Sequence, residues 1–329
     1  MKGPIGTAER HCLLALALLL ASTAGAARER QGPEHWLERM SQAVASIDYQ
    51  GTVIRRQNGE TQALKVMHKV VDGVVNERII SQEGSGLEII RIGNEVHCIL
   101  PDKKSVLIEQ WNDRSTLFST LPTSDVRFGG FYDVSLVREE RVAGRPAVLV
   151  AIRPHDSYRF GHRLWLDRET ALPLRTELVG ADGDVIEQLK FADISLTTNL
   201  SAQALRPSTD VDSFTWYAEP ARTATVDVGT DWVCEDLPPG FQAISTREEK
   251  LPGAAEPVTH IVYGDGLATV SVFITRETDE EIARRSVLGS SNSFSIRRDG
   301  YQITAIGEVP AETVQRIATA MHVAPGRPR

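Results

Sequence analysis

"YRFGHRLWLDRETALPLRTELVGADGDVIEQLKF", running from Tyr158 to Phe191, sets apolar against polar residues with a period of two. Tyr158, Phe160, Leu164 and Leu166 fall on one side, the pattern of a strand with one buried face. Asp182-Gly183 interrupts it with residues that tolerate positive φ, as a short hairpin loop requires.

Working outward, the same pattern recurs from Tyr49 to about Leu196 in "YQGTVIRRQNGE", "ALKVMHKVVDG", "VVNERIIS", "LEIIRIGNEVHCILPD", "KSVLIEQ" and "SLVREERVAGRPAVLVAIRP". Asn58-Gly59, Asp72-Gly73, Gly93-Asn94 and Ala143-Gly144 punctuate it, so neighbouring strands should be antiparallel. The apolar side of this sheet, which includes Leu64, Val66 and Val70, needs a cover. One candidate is a helix opening at Pro33 with Trp36, Leu37, Met40, Val44 and Ile47 on one stripe. The other is "WNDRSTLFSTL", Trp111 to Leu121. The expected fold is α+β: a large curved antiparallel sheet with helices across its concave side. Where that cover fits loosely, an apolar cleft remains.

Beyond Thr197 the pattern weakens in "TTNLSAQALRPSTDVDSF", a linker composition. A smaller domain of hairpins and helices follows. "WVCEDLPPGFQAI" reads as strand, Pro-Pro-Gly corner, strand, and "HIVYGDGLATVSVFI" as a hairpin turning at Asp265-Gly266. "TDEEIARRSV" reads as a helix capped by Thr278 or Asp279, "SFSIRRDGYQITAIGEV" as a hairpin turning at Asp299-Gly300. Pro310 opens a last helix with Val314, Ile317, Ala318 and Met321 on one stripe. The boundaries expected are 1–27 for a signal peptide, 28–205 for the large domain, 206–229 for the linker and 230–329 for the small domain.

The signal is read from Lys2 and Arg10, the apolar run "CLLALALLLAS" and the small residues "AGAA". The run is too short to span a bilayer as a helix. The chain carries a formal charge of −8, and loss of Lys2, Arg10 and Glu9 makes it one unit more negative. That balance argues against nucleic acid, which calls for a clustered basic face. Cys98 and Cys234 remain, either bridged in an oxidising compartment or present as buried thiols.

Chemistry is hard to find. The eight His are scattered singly, with no helical pair to start a metal site. There is no G-x-S-x-G elbow, no P-loop and no G-x-G-x-x-G. "HDS", His155 to Ser157, has triad residue types, but consecutive residues do not present nucleophile, base and orienter to one another. "RETDEE" (Arg276 to Glu281) reads as a solvated helix start and "REER" (Arg138 to Arg141) as an exposed strand edge. No cofactor, no metal and no catalytic activity are expected.

"LPPGF" (Leu237 to Phe241), "HIVYGDGLATVSVFI" and "YQITAIGEVPAETVQRIA" (Tyr301 to Ala318), in that order, resemble the small C-terminal domain of the RseB/MucB family. "WLERMSQAV", "YQGTVIRRQ" and the stretch from Arg163 to Phe191 resemble its large domain, and the likeness covers nearly all of the chain after the signal. "IARRSVLGSSNSFSIRRDG" departs from the family's more glycine-rich pattern. The resemblance implies a LolA-like half-barrel closed by helices over an apolar cavity. It further implies a periplasmic negative regulator of an envelope-stress sigma factor. Its partner would be the periplasmic domain of a membrane-spanning anti-sigma factor, shielded from site-one proteolysis and released when lipopolysaccharide or lipoprotein acyl chains bind. A homodimer is compatible with it, and a plain lipid or lipoprotein carrier is the alternative function.

Cavity residues expected from the helix and concave strands are Trp36, Met40, Val66, Ile90, Leu100, Trp111, Phe118 and Trp165. Aromatic residues near turns, Phe241, Tyr263 and Tyr301, are expected at the partner surface.

Overall fold

The computed structural model describes residues 32–110, 117–118, 121–122, 130–196, 199–218, 230–249, 256–276 and 283–324. The expected signal, Trp111 and most of the second covering segment lie outside them.

Helix α1 (Pro33–Ser46) begins at a proline whose fixed φ suits the first turn, and ends where Ile47 turns extended. It buries Leu37, Met40, Ala43 and Val44 on one stripe. Eleven strands follow: β1 (Tyr49–Gln57), β2 (Glu60–Val71), β3 (Val74–Ser81), β4 (Glu88–Ile92), β5 (Glu95–Leu100), β6 (Ser105–Gln110), β7 (Tyr132–Val142), β8 (Arg145–Pro154), β9 (Gly161–Asp167), β10 (Pro173–Val179) and β11 (Val185–Ser195). They pair antiparallel in the order β6-β5-β4-β3-β2-β1-β11-β10-β9-β8-β7. The expected turns hold: Asn58, Asp72 and Ala143 sit at φ near +50°, each followed by a glycine of positive φ.

The sheet curls, since β7 at one margin reaches back to β11 and α1 touches both β2 and β7. Inside the curl, Leu37, Met40, Val44, Tyr49, Val53, Val66, Leu164, Leu166 and Phe191 form the main core, joined by Phe118 of the second cover. Each large apolar side chain so buried contributes about 1.5–3 kcal/mol. Within the stretch expected as linker, β12 (Thr215–Ala218) adds to β6 as a parallel strand, with Trp216 edge-on to His97 at 5.6 Å.

The C-terminal domain holds β13 (Trp232–Cys234), β14 (Gln242–Glu249), β15 (Val258–Gly264), β16 (Thr269–Arg276), β17 (Arg284–Leu288), β18 (Ser291–Arg298), β19 (Tyr301–Gly307), α2 (Ala311–Ala320) and β20 (Met321–Val323). Six strands form a sheet in the order β14-β15-β16-β19-β18-β17, and β13 pairs with β20. α2 lays Val314, Ile317 and Ala318 on the sheet's Ile261, Val272, Ile303 and Ala305. The helix expected from Thr278 is corrected at its C-terminal half: Arg284–Leu288 is strand, paired with β18 from Arg284↔Ser295 to Leu288↔Ser291. Hydrogen bonds to β18 outweigh the local helical signal there.

A buried seam joins the two domains. The Arg159 side chain is fully buried, its Nη1 donating to Asp265 Oδ2 at 2.6 Å and its Nη2 to the Pro239 carbonyl. Phe131, Tyr132 and Phe241 surround the guanidinium at 4.9, 5.4 and 5.2 Å, a cation–π cage. Thr313 Oγ1 donates to Tyr158 O at 2.8 Å, and Arg316 to the Tyr158 hydroxyl. Gly240 sits at φ +83°, and a Cβ there would lie 2.4 Å from the Phe131 ring.

Candidate functional site

Register places Leu64 opposite Val53 and Ser81, Ile79 opposite Val66 and Ile89, and Arg55 opposite Gln62 and Leu189. Side chains of directly paired residues share a face. These rows therefore continue the core face, with Leu64, Ile89 and Leu189 at the margin of the main core. They enclose a cavity of about 500 Å³ floored by Leu64, Ile79, Leu87, Ile89 and Leu189, with Leu117 from the cover. Its mouth is polar and draws on both domains: Arg55, Glu83 and Glu187 from the first, Ser290 and Glu308 from the second.

Arg55 Nε donates to Glu187 Oε1 at 2.8 Å, and Gln57 Nε2 to the other oxygen at 2.7 Å. Within the second domain Ser290 Oγ donates to Glu308, and across the seam Asn58 Nδ2 donates to Gly289 O at 3.1 Å. Burial pushes the Glu308 carboxyl above the usual range, against the Ser290 hydrogen bond that lowers it. An apolar floor with a few convergent polar groups is the architecture of a small-ligand or acyl-chain site.

Among the described residues no cluster of three His, Cys, Asp or Glu is placed to hold a metal. Two of the three residues of "HDS" have structural partners. His155 bonds the Gly130 carbonyl through Nδ1 and pairs with Asp133 through Nε2, while Asp156 accepts from Tyr158 N and Arg159. No helix among the described residues is long and apolar enough to cross a membrane.

Residues 32–209 match the MucB/RseB N-terminal domain, and residues 227–322 the MucB/RseB C-terminal domain. The chain belongs to the MucB/RseB family. Among relatives, it is 32% identical over 313 residues to the sigma factor AlgU regulatory protein MucB of Pseudomonas aeruginosa, covering 93% of this chain and 96% of that one. It is 26% identical over 293 residues to the sigma-E factor regulatory protein RseB of Escherichia coli, covering 86% and 88%. Among solved structures, the Pseudomonas aeruginosa MucA/MucB complex gives a TM-score of 0.68 at 30% identity, covering 89% of this chain and 99% of that one. MucB bound to MucA(peri) gives 0.67 over the same coverage, and MucB alone gives 0.56 over 88% and 97%. Members of the family are thus named as sigma-factor regulators, and one is solved with MucA.

Of the residues expected in the cavity, Met40, Val66 and Phe118 belong to the main core and Trp36 lies against it. Leu100 is half-buried at the end of β5. Ile90 lies in a separate cluster with Ile99 and Val106, covered by Val211 and Phe214. Trp165 lies in another with Val142, Leu149 and Leu174, its Nε1 donating to Glu140 at 2.8 Å and Arg175 stacked 4.2 Å from its ring. None of these residues lines the 500 Å³ cavity. Along β4 the alternation turns Ile89, rather than Ile90, to the hollow. Phe241 and Tyr263 are buried in the second core, Phe241 beside Arg159, while Tyr301 is half-buried against Trp232. Arg55, Glu187 and Glu308 carried no sequence signal, because charged residues near strand ends look alike until pairing is known.

Proposed function

We propose that the chain is a periplasmic binding protein that holds the periplasmic region of a membrane-spanning anti-sigma factor and slows its regulated proteolysis. An acyl chain entering the cavity shifts the balance towards release. The observation carrying this reading is the greater likeness to two MucA-bound structures than to MucB alone. That likeness supports reading the domain arrangement held by Arg159 and Asp265 as the partner-competent one, on which a ligand in a cavity walled by both domains would act. Such a ligand works only through its different affinity for the two states. The test is cleavage of the cognate periplasmic segment by its site-one protease with and without the purified protein. Slower cleavage, restored by added acyl lipid, is the expected result. An unchanged cleavage rate removes the proposal.

A further inference from the structure

A second hollow, of about 330 Å³, lies where the C-terminal ends of β8 and β10 flank the start of β9. Leu164 faces the main core, so by alternation Arg163 faces out. Register sets Arg163 between Ala151 and Glu177, and Arg153 lies two residues beyond Ala151 on the same outer face. Between the two arginines comes Gly161, paired with Val179. A Cβ at Gly161 would lie 2.9 Å from the Ile152 carbonyl oxygen, so the floor there stays bare. Gly180, Ala181 and Gly183, from the turn between β10 and β11, close another side.

The basic groups around this hollow are incompletely answered. Arg153 Nη1 donates to a hydroxyl, Ser135 Oγ, at 3.2 Å rather than to a carboxylate. Arg163 donates to Glu177 at 3.3 Å, but that carboxylate also accepts from Arg175 and from Gln188, so two guanidiniums share it. His155 adds a third basic group, paired with Asp133 at 3.0 Å. Among the described lining residues the one carboxylate is Asp156, whose Oδ1 is taken up by Tyr158 N and Arg159 Nε. Guanidinium forks match the paired oxygens of a carboxylate or phosphate, and the volume suits a small ligand.

We propose that this hollow is a second ligand site, for a small molecule whose carboxylate or phosphate group is held between Arg153 and Arg163. It is separate from the apolar cavity and does not rest on the acyl-chain reading. Asp156 joins it to the seam, because the oxygen that accepts from Tyr158 N also accepts from Arg159 at 3.1 Å, and Arg159 holds Asp265. An occupant that orders residues 154–161 therefore bears on the link between the domains.

The test titrates N-acetyldiglycine and glycerol phosphate into the isotope-labelled mature protein at constant ionic strength, with N-acetyldiglycinamide and glycerol as their neutral counterparts. Saturable shifts of the Gly161, Gly180 and Gly183 amide signals with at least one anion, and none with the neutral molecules, are the expected result. The anion that binds more tightly identifies the group recognised. Arg153→Gln and Arg163→Gln should each weaken that binding at least threefold. Lys190→Gln, opposite Arg175 on the same face but outside the hollow, should leave it unchanged. Equal shifts from the neutral counterparts, an equal loss in Lys190→Gln, or no saturable shift from either anion overturns the site. The comparison of probes in the unaltered protein needs no variant to fold.

Discussion

Asp265 divides its two carboxylate oxygens between two tasks. Oδ1 accepts from the backbone N–H groups of Leu267 and Ala268 at 2.9 and 2.8 Å, closing its own hairpin turn. Oδ2 accepts from Arg159 at 2.6 Å and the Tyr132 hydroxyl at 2.8 Å, closing the seam between domains. Both partners of the ion pair are fully buried. Burial, with Asp265 beside it, also holds the Tyr132 phenol well above its usual range.

Removing one member of such a pair strands the other charge. Arg159→Met should lower unfolding stability by about 3–5 kcal/mol, as should Asp265→Ala, which also loses the turn. The double variant Arg159→Met/Asp265→Leu should recover part of that loss, since neither charge is then stranded. Urea unfolding of the three variants checks this; additive losses would mean the two residues act independently.

Gly240→Ala and Gly300→Ala separate backbone strain from interdomain contact. Both glycines have φ near +80°, but a Cβ meets Phe131 at 2.4 Å in the first and nothing within 4 Å in the second. Each should lose about 1 kcal/mol from conformation alone. Gly240→Ala should lose clearly more, because Phe131 must leave the Arg159 cage. Equal midpoints in thermal melts would show that the seam yields freely.

His162 carries a pH dependence. Burial pushes its imidazole down to about 4 in the folded protein, whereas the unfolded chain titrates near 6.5. The unfolded state therefore binds the extra proton between those values. Stability is full above about pH 6.5, falls as pH drops, and is about 3 kcal/mol lower by pH 4 from this group alone. Denaturation curves at pH 7, 5.5 and 4.5 should show that slope, and His162→Gln should flatten it.

Cys98 and Cys234 are free thiols, both half-buried. Burial pushes the Cys98 thiol up to about 11, with Glu109 adding to it, and raises Cys234 as well. Little reactive thiolate exists at neutral pH. Iodoacetamide at pH 8 should label the native protein at least tenfold more slowly than the unfolded chain. Rapid labelling of Cys98 in the native state would contradict the burial.

Much of the first sheet was legible, because turn chemistry and period-two alternation are local. Asn58-Gly59 and Asp72-Gly73 fall at hairpins for the reason read from them. The cavity was not legible. The choice of Ile90 over Ile89 is a shift of one residue, and facing depends on pairing between strands rather than on composition. Asp265 was readable as a turn residue, yet its ion pair lies 106 positions away at Arg159. The helix expected from Thr278 met a competing strand partner that only tertiary structure supplies.

Strand β12 limits how far the domains can part. While Thr215–Ala218 stays paired with β6, the leash to the second domain runs only from Ala218 to Thr230. At full extension it reaches about 40 Å. Unzipping that short parallel strand would lengthen the tether only back to Phe214, which with Val211 covers the Ile90 cluster, while Ser208 stays bonded to Glu88. The four residues are thus the outermost of several stitches that hold the tether to the first domain.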